Sequence, residues 1–404
     1  MSRQKQVKAP ASGEKHIIGV LYGFRTLMVL TVCHFHIWQQ SWLPQYFTIL
    51  GIQMNMDYLA RAGYLFVDGM LLLSGFLLYL PYAMQKTEGA SVPNVKRFYA
   101  NRLIRILPSY VFSILVMLFF VALPEGRYGT GSALTKDLAT HFTFTFTFWR
   151  ETYLYTPLGG ALWTVAVEMQ FYLIFPLLAR AMQKKPAITL TGMALAGFAY
   201  RWAVYTQAQD TSMLINQMPG FLDVYALGML GAMGYARWRV WLKQQKGSTK
   251  QWSAWGAAVV FGLSCWGVDM LLRHQAKTGV QGAEVLRLSQ LVVRFPLGIC
   301  LLGVILGASG MPRFLQKLLD NRLMRFFAVI SFNLYIWHQS IAVLVVKHWF
   351  PATLHGDLPL QWACTALCFS LAILAAMSAT FGVEQPAARL ANRMIEKHRR
   401  KRLS

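Results

Sequence analysis

Acidic residues are scarce in this chain. Of 404 residues only 16 are Asp or Glu, against 39 Lys or Arg, and the four charged types together make 14%. Soluble domains carry about 25% charged residues. That deficit, with 55% hydrophobic content, excludes an ordinary soluble globule. A net charge of +23 on a soluble chain would point to nucleic acid. Here the basic residues stand in short clusters between long apolar runs, the pattern of loops in a polytopic membrane protein, and no nucleic-acid partner is expected. Cysteine is sparse too: Cys33, Cys265, Cys300, Cys364 and Cys368 all fall inside apolar stretches. Beyond the loose Cys364/Cys368 pair none has a metal-ligand or redox spacing, so neither a disulfide framework nor a metal site is expected. There is no internal repeat, which weighs against the inverted-repeat transporter folds. The polar start MSRQKQVKAPASGEK lacks a small-residue cleavage site after an apolar core, so the first span is expected to be retained.

What the chain has is apolar length. Ten runs approach the ~20 residues that cross a bilayer core. They are 17–37, 62–82, 106–123, 160–181, 187–206, 219–238, 252–272, 289–308, 324–346 and 360–382. The expected fold class is all-α, a polytopic bundle of about ten transmembrane helices. The N-terminal tail and the loops 83–105, 180–186, 237–250, 309–325 and 389–404 hold 28 of the 39 Lys and Arg. The positive-inside rule then sets both termini in the cytoplasm, for a multi-pass protein of the cytoplasmic membrane. The expected organisation is a basic tail over 1–16, one transmembrane domain over 17–388 and a basic tail over 389–404, with no second soluble domain. The last tail, IEKHRRKRLS, is read as an orientation anchor able to attract anionic membrane lipid. Residues 38–61 are aromatic and amphipathic, which suits an interfacial segment. Residues 141–149, HFTFTFTFW, alternate at period two, a strand-like or interface-lying pattern. They read either as an aromatic belt at the headgroups or as a wall suited to sugar rings and apolar ligands.

The residues able to carry chemistry are polar groups inside these runs. Arg25 and His36 lie eleven residues apart in the first span and share a helix face, whereas His34 points roughly the other way. An intramembrane arginine is costly and turns toward protein or a water-filled cavity, so Arg25 marks a functional site. Asp68 in the second span needs a partner, with Arg25 or His36 the obvious choice, either for chemistry or as a structural ion pair. Ser74 and Gly75 follow it. Arg102 and Arg105 share a face near the start of the third span, where free backbone N–H groups would add to a phosphate-binding corner. Ordinary positive-inside anchoring explains them equally well on composition alone. Glu168 sits among Trp163, Phe171 and Tyr172, where it would orient a histidine, relay protons or cap its own helix. Ser331, Asn333, Tyr335, Trp337 and His338 come later, followed by Glu384 and Pro386. His338 by itself reads as structural.

Taken in order, these stretches resemble the acyltransferase family 3 membrane proteins over nearly the whole chain. The family's GLR-type start, followed after ten intervening residues by histidine, stands here as GFRTLMVLTVCHFH and gives Arg25 and His36. Its VDxFFxLSGFL appears as VDGMLLLSGFL, its RxxRIxP as RLIRILP and its LWSLxxExxFYL as LWTVAVEMQFYL. SYSLYLWHxP is represented by SFNLYIWHQS, and VEKP by VEQP. Gly69–Met70 and Gln339–Ser340 depart from the pattern, where bulky residues and a proline would be usual. The resemblance implies acyl transfer from acyl-coenzyme A, with acetyl-coenzyme A the default, to a hydroxyl of a carbohydrate or lipid-linked glycan acceptor, without a metal. On that footing His36 is the expected general base or transient acyl carrier. Glu168 or Asp68 would fix its tautomer, and Arg25 would order the carboxylate or stabilise the oxyanion. Arg102 and Arg105 would hold donor phosphates, and Trp163, Tyr172, Ser74, Tyr335 and His338 would line the substrate site. The rival expectation is a non-enzymatic flippase for a lipid-linked sugar, which buried charges would serve as well. Oligomeric state is not legible.

Overall fold

In the computed structural model, which describes residues 12–49, 51–92 and 94–401, every expected span falls on a helix. These are α1 (Ser12–Ser41), α2 (Phe66–Glu88), α3 (Val95–Met117), α4 (Trp163–Lys184), α5 (Pro186–Gln207), α6 (Leu222–Gln244), α7 (Ser248–Thr278), α8 (Arg294–Gly310), α9 (Arg322–Trp349) and α10 (Leu358–Ala379). A further helix, α11 (Gln385–Lys401), occupies most of the expected C-terminal tail. The expected N-terminal tail lies mostly outside the described residues, and its last part already belongs to α1.

By length and apolarity, seven of the described helical segments can cross a membrane, or eight if Glu284–Val292 and Arg294–Gly310, bent by 46°, form one span. The count of about ten is not reached by that measure. The shortfall lies in α5 and α6, which are long enough but carry Arg201 and, in α6, Asp223, Arg237, Arg239 and Lys243. A charge in a span lowers its apolarity whether or not a partner inside the bundle neutralises it.

Helix starts follow local chemistry. Asn94, Asn321 and Asp357 cap α3, α9 and α10, their side chains accepting from the Arg97, Met324 and Leu360 amides at 2.8, 3.0 and 3.0 Å. Such a cap satisfies one of the free first-turn donors. Because α3 begins at Val95, Arg102 and Arg105 lie about two turns inside it. The expected corner built on its free first-turn amides is therefore not formed; the arginines act from the helix flank.

The core is built on close helix contacts. α2 crosses α6 with backbone against backbone: a Cβ on Gly75 would meet the Tyr225 carbonyl at 2.6 Å, and one on Gly228 the Leu72 carbonyl at 2.1 Å. Small residues let membrane helices approach this closely, where packing rather than water exclusion holds them together. α1 packs on α9, α9 on α10, and α7 on α8. α7 is peripheral, with only 11% of its most apolar window buried in protein.

Two loop expectations change. Within 38–61 the chain forms an antiparallel hairpin, β1 (Tyr46–Ile49) and β2 (Ile52–Asn55), paired Tyr46↔Asn55 through Ile49↔Ile52 and turned at Gly51 with φ +80°. Within 141–149 no strand forms. His141 ends the helix Gly131–Phe142, and Phe146–Phe148 is a single 3₁₀ turn. Tertiary packing overrides the alternation: His141 stacks on Phe146 at 4.0 Å and Phe144 on Tyr110 at 4.8 Å.

Candidate active site

Arg25 of α1, Ser74 of α2, Arg102 and Arg105 of α3, Glu168 and Tyr172 of α4 and Tyr335 of α9 surround one cavity of about 90 Å³. The Ser74 hydroxyl donates to Glu168 Oε1 at 2.6 Å and also meets the Tyr172 hydroxyl. The Arg102 guanidinium lies over the Phe98 and Tyr172 rings, 5.8 and 5.5 Å from their centroids. Its Nε is buried with no hydrogen-bond partner.

A second carboxylate reaches this group from a distant part of the chain. Between α10 and α11 the helix passes through a π turn, Thr380–Glu384. There Glu384 accepts from Asn333 Nδ2 at 2.7 Å and from the Ser109 hydroxyl at 3.5 Å. Arg105 and Arg25 are its nearest influential cations. Arg25 in turn senses Arg105, Glu168, Tyr172 and Glu384. Three arginines thus stand with two carboxylates, and none of the three forms an ion pair among the described residues. Excess positive charge facing a void favours an anionic ligand or a developing oxyanion.

The two singled-out histidines form a separate pair. The His36 and His338 rings lie 5.2 Å apart at 46°, and neither lines the cavity. Arg25 sits roughly 16 Å along α1 from His36, at 1.5 Å per residue. The link is Tyr335, which lines the cavity and stands 5.5 Å from the His338 ring. His36 Nδ1 bonds Gln39 Oε1 at 3.1 Å, and His338 Nδ1 bonds the Tyr335 carbonyl at 2.7 Å. His34 faces elsewhere, stacked 6.2 Å from Phe369. Gly159 has φ +134°, a conformation that suits only glycine, and a Cβ on Gly160 would meet Gln339 Oε1 at 2.9 Å. The divergent Gln339–Ser340 step therefore packs against this glycine pair beside His338.

Neither carboxylate expected at His36 is there. Glu168 belongs to the cavity, and Gln39 takes the imidazole N–H. Asp68 belongs to a buried set of four charges: Arg294 Nε is 3.7 Å from Asp68, and Arg201 grips Asp223 through two bonds of 2.8 and 2.7 Å. Asp68 sits in the first turn of α2 facing the start of α8, so Arg294 reaches it and Arg25 does not form the expected pair. Trp163 also stands outside the cavity, stacked 6.1 Å from Phe221. Gln39 was open to sequence reasoning, being three residues from His36 and so on the same helix flank. Glu384 had only its motif position as a signal. Among the described residues no three His, Cys, Asp or Glu side chains gather as metal ligands.

Comparison with known proteins supplies the class. A family model described as an acyltransferase domain matches residues 21–380. ORF330 of Acidianus two-tailed virus, a protein that bears the name of an acetyltransferase, is 26% identical over 331 residues, covering 81% of this chain and 83% of its own. No solved structure matches the chain.

Proposed function

The chain belongs to acyltransferase family 3, and from that premise we propose that this multi-pass membrane acyltransferase moves an acetyl group from acetyl-coenzyme A to a hydroxyl of a cell-envelope carbohydrate, free or lipid-linked. The observation that carries this reading is the cavity with three unpaired arginines around Glu168, Ser74 and Tyr172. Exposed Arg105 beside half-buried Arg102 suits donor phosphates arriving from the basic side of the bundle, and Tyr335 leads from the cavity toward the histidines, where the thioester end would react. With both termini cytoplasmic, that side is the cytoplasm, and the membrane is the plasma membrane.

His36 acts as general base. Its Nδ1 proton is engaged by Gln39, which leaves Nε2 as the proton acceptor. The acceptor oxygen attacks the thioester carbonyl carbon while its proton passes to His36 Nε2. The C–S bond then breaks, and the coenzyme A thiolate takes the proton from the imidazolium. Arg25, with Arg102 and Arg105, holds the anionic part of the donor in the cavity. Ser74 and Tyr172 hold Glu168, and Glu168 and Glu384 hold Arg25 in place electrostatically.

The test is transfer by purified, reconstituted protein given radiolabelled acetyl-coenzyme A and total envelope extract, comparing wild type with His36→Ala and Arg105→Ala. Label should enter an envelope component with wild type alone. Undiminished transfer by folded His36→Ala would remove the base assignment. Absence of both label and donor-induced thermal stabilisation would remove the donor and acceptor assigned here.

A further inference from the structure

The His36–His338 pair has a property that the base role alone does not require. Gln39 Oε1 and the Tyr335 carbonyl can only accept hydrogen bonds, so both Nδ1 atoms must donate. In a neutral imidazole the other ring nitrogen is then a bare acceptor. His338 Nε2 is buried with no hydrogen-bond partner, in a residue with no exposed surface. His36 Nε2 likewise has no partner among the described residues. Two acceptors, each with its tautomer fixed by a separate neighbour, lie in rings whose centroids are 5.2 Å apart. They cannot bond to each other. A buried acceptor left unsatisfied costs about 1–3 kcal/mol, and that cost falls on His338. His36, partly exposed, takes the proton of the reacting hydroxyl, so a ligand that meets both rings brings two donors.

We propose that the two Nε2 atoms form a cradle for a vicinal diol of the acceptor sugar, one hydroxyl donating to each histidine. A lone alcohol has one proton and satisfies one acceptor. Adjacent hydroxyls on a sugar ring carry two, spaced to suit neighbouring imidazoles. His36 takes the proton of the reacting hydroxyl, and the steps balance as written above. His338 takes no proton in the reaction; it holds the neighbouring hydroxyl and so selects which oxygen meets the thioester. The Tyr335 carbonyl that fixes the His338 tautomer belongs to the residue whose side chain lines the donor cavity. The inference rests on the acyl-transfer reading for its acceptor but on imidazole geometry for the cradle, and the two are tested apart.

The first arm is independent of activity. In protein labelled with ¹⁵N-histidine, the His36 and His338 signals, assigned by their loss in single variants, should both report a protonated Nδ1 and a bare Nε2. A protonated Nε2 on either ring overturns the cradle. The second arm uses replacements that separate the two ring nitrogens. His338→Asn keeps a donor near the Nδ1 position for the Tyr335 carbonyl but loses the Nε2 acceptor; His338→Gln places an amide oxygen near Nε2. With envelope carbohydrate as acceptor, Asn should raise the acceptor KM at least about tenfold, and Gln should recover much of that loss. A purely structural histidine gives the reverse order, which would overturn the role. The third arm treats the carbohydrate fraction with periodate, which cleaves vicinal diols. Wild type should then transfer at least about tenfold less label, and undiminished transfer overturns the diol. Wild type that transfers nothing to untreated carbohydrate sinks the acyl-acceptor reading, while the tautomer arm still decides the cradle.

Discussion

Two groups of charge occupy this bundle, and they differ in burial and in what each charge touches. In the first, Arg201, Asp223, Arg294 and Asp68 are two cations against two anions, from 1% to 7% exposed, and they bind one another and nearby carbonyls. Arg201 adds the Gly220 and Leu291 carbonyls, and Arg294 the Ile215 carbonyl and Asn216. In the second, Arg25, Arg102 and Arg105 share a cavity with Glu168, while Glu384 stands behind them on Asn333 and Ser109, with no ion pair closed. Charges that face each other from different helices hold those helices together, although Asp68 Oδ2 keeps no hydrogen bond of its own. Charges left facing open space are held ready for something else. Burial and contact change together: the first group is shut away with its partners, the second opens toward the cavity and the surface.

Breaking the closed group should have the largest effect, and on stability. Arg201→Ala leaves the Asp223 carboxylate buried and unpaired, which costs about 3–5 kcal/mol. Thermal unfolding in detergent should show a fall large enough to deplete folded protein. Arg25→Gln should do the opposite: the donor KM rises at least about tenfold, the loss of a charge-assisted hydrogen bond, with the unfolding midpoint nearly unchanged. A large loss of stability in that variant would put Arg25 in the structural class and dissolve the contrast. Asp68→Asn sharpens it further. It should cost roughly 1–3 kcal/mol of stability while kcat and KM stay near wild type, because its partner is Arg294. A fall in kcat without unfolding would return Asp68 to the chemistry.

The smallest effect belongs to a surface cluster outside the bundle. Lys347, 2.7 Å away, and then Arg127 hold the Glu125 carboxyl below its ordinary 4.5. A depressed carboxylate stabilises the fold above that ordinary value, and the contribution is lost as pH falls below it through the folded value. For so exposed a group the change is slight. Glu125→Gln should flatten the acid limb of the stability profile below about pH 4.5 and leave neutral stability unaltered.

The helices were legible because an apolar run of bilayer length is a local property, and each expected span coincides with one. Legibility ended where a charge found its partner far along the chain. Nothing near Asp68 in sequence announces Arg294, and nothing near Asn333 announces Glu384, which meets it at a π turn. The alternation in HFTFTFTFW misled for a related reason. Aromatic residues at period two suit a strand, but here the rings are engaged singly by His141 and Tyr110. The Arg102–Arg105 face was legible as a motif, whereas its position two turns past the cap depended on where Asn94 starts the helix.

The glycine seam between α2 and α6 has a consequence for the donor. Gly75 stands against the Tyr225 carbonyl and Gly228 against that of Leu72, so at these two points backbone meets backbone, and Phe76 packs on Gly231 and Tyr235 one turn on. Met70, Leu73 and Leu77 line the cavity from the same helix, beside Ser74. On the acyl-transfer reading proposed above, the crossing fixes the backbone that carries this wall, so two glycines that line no part of the cavity would set where the donor meets it.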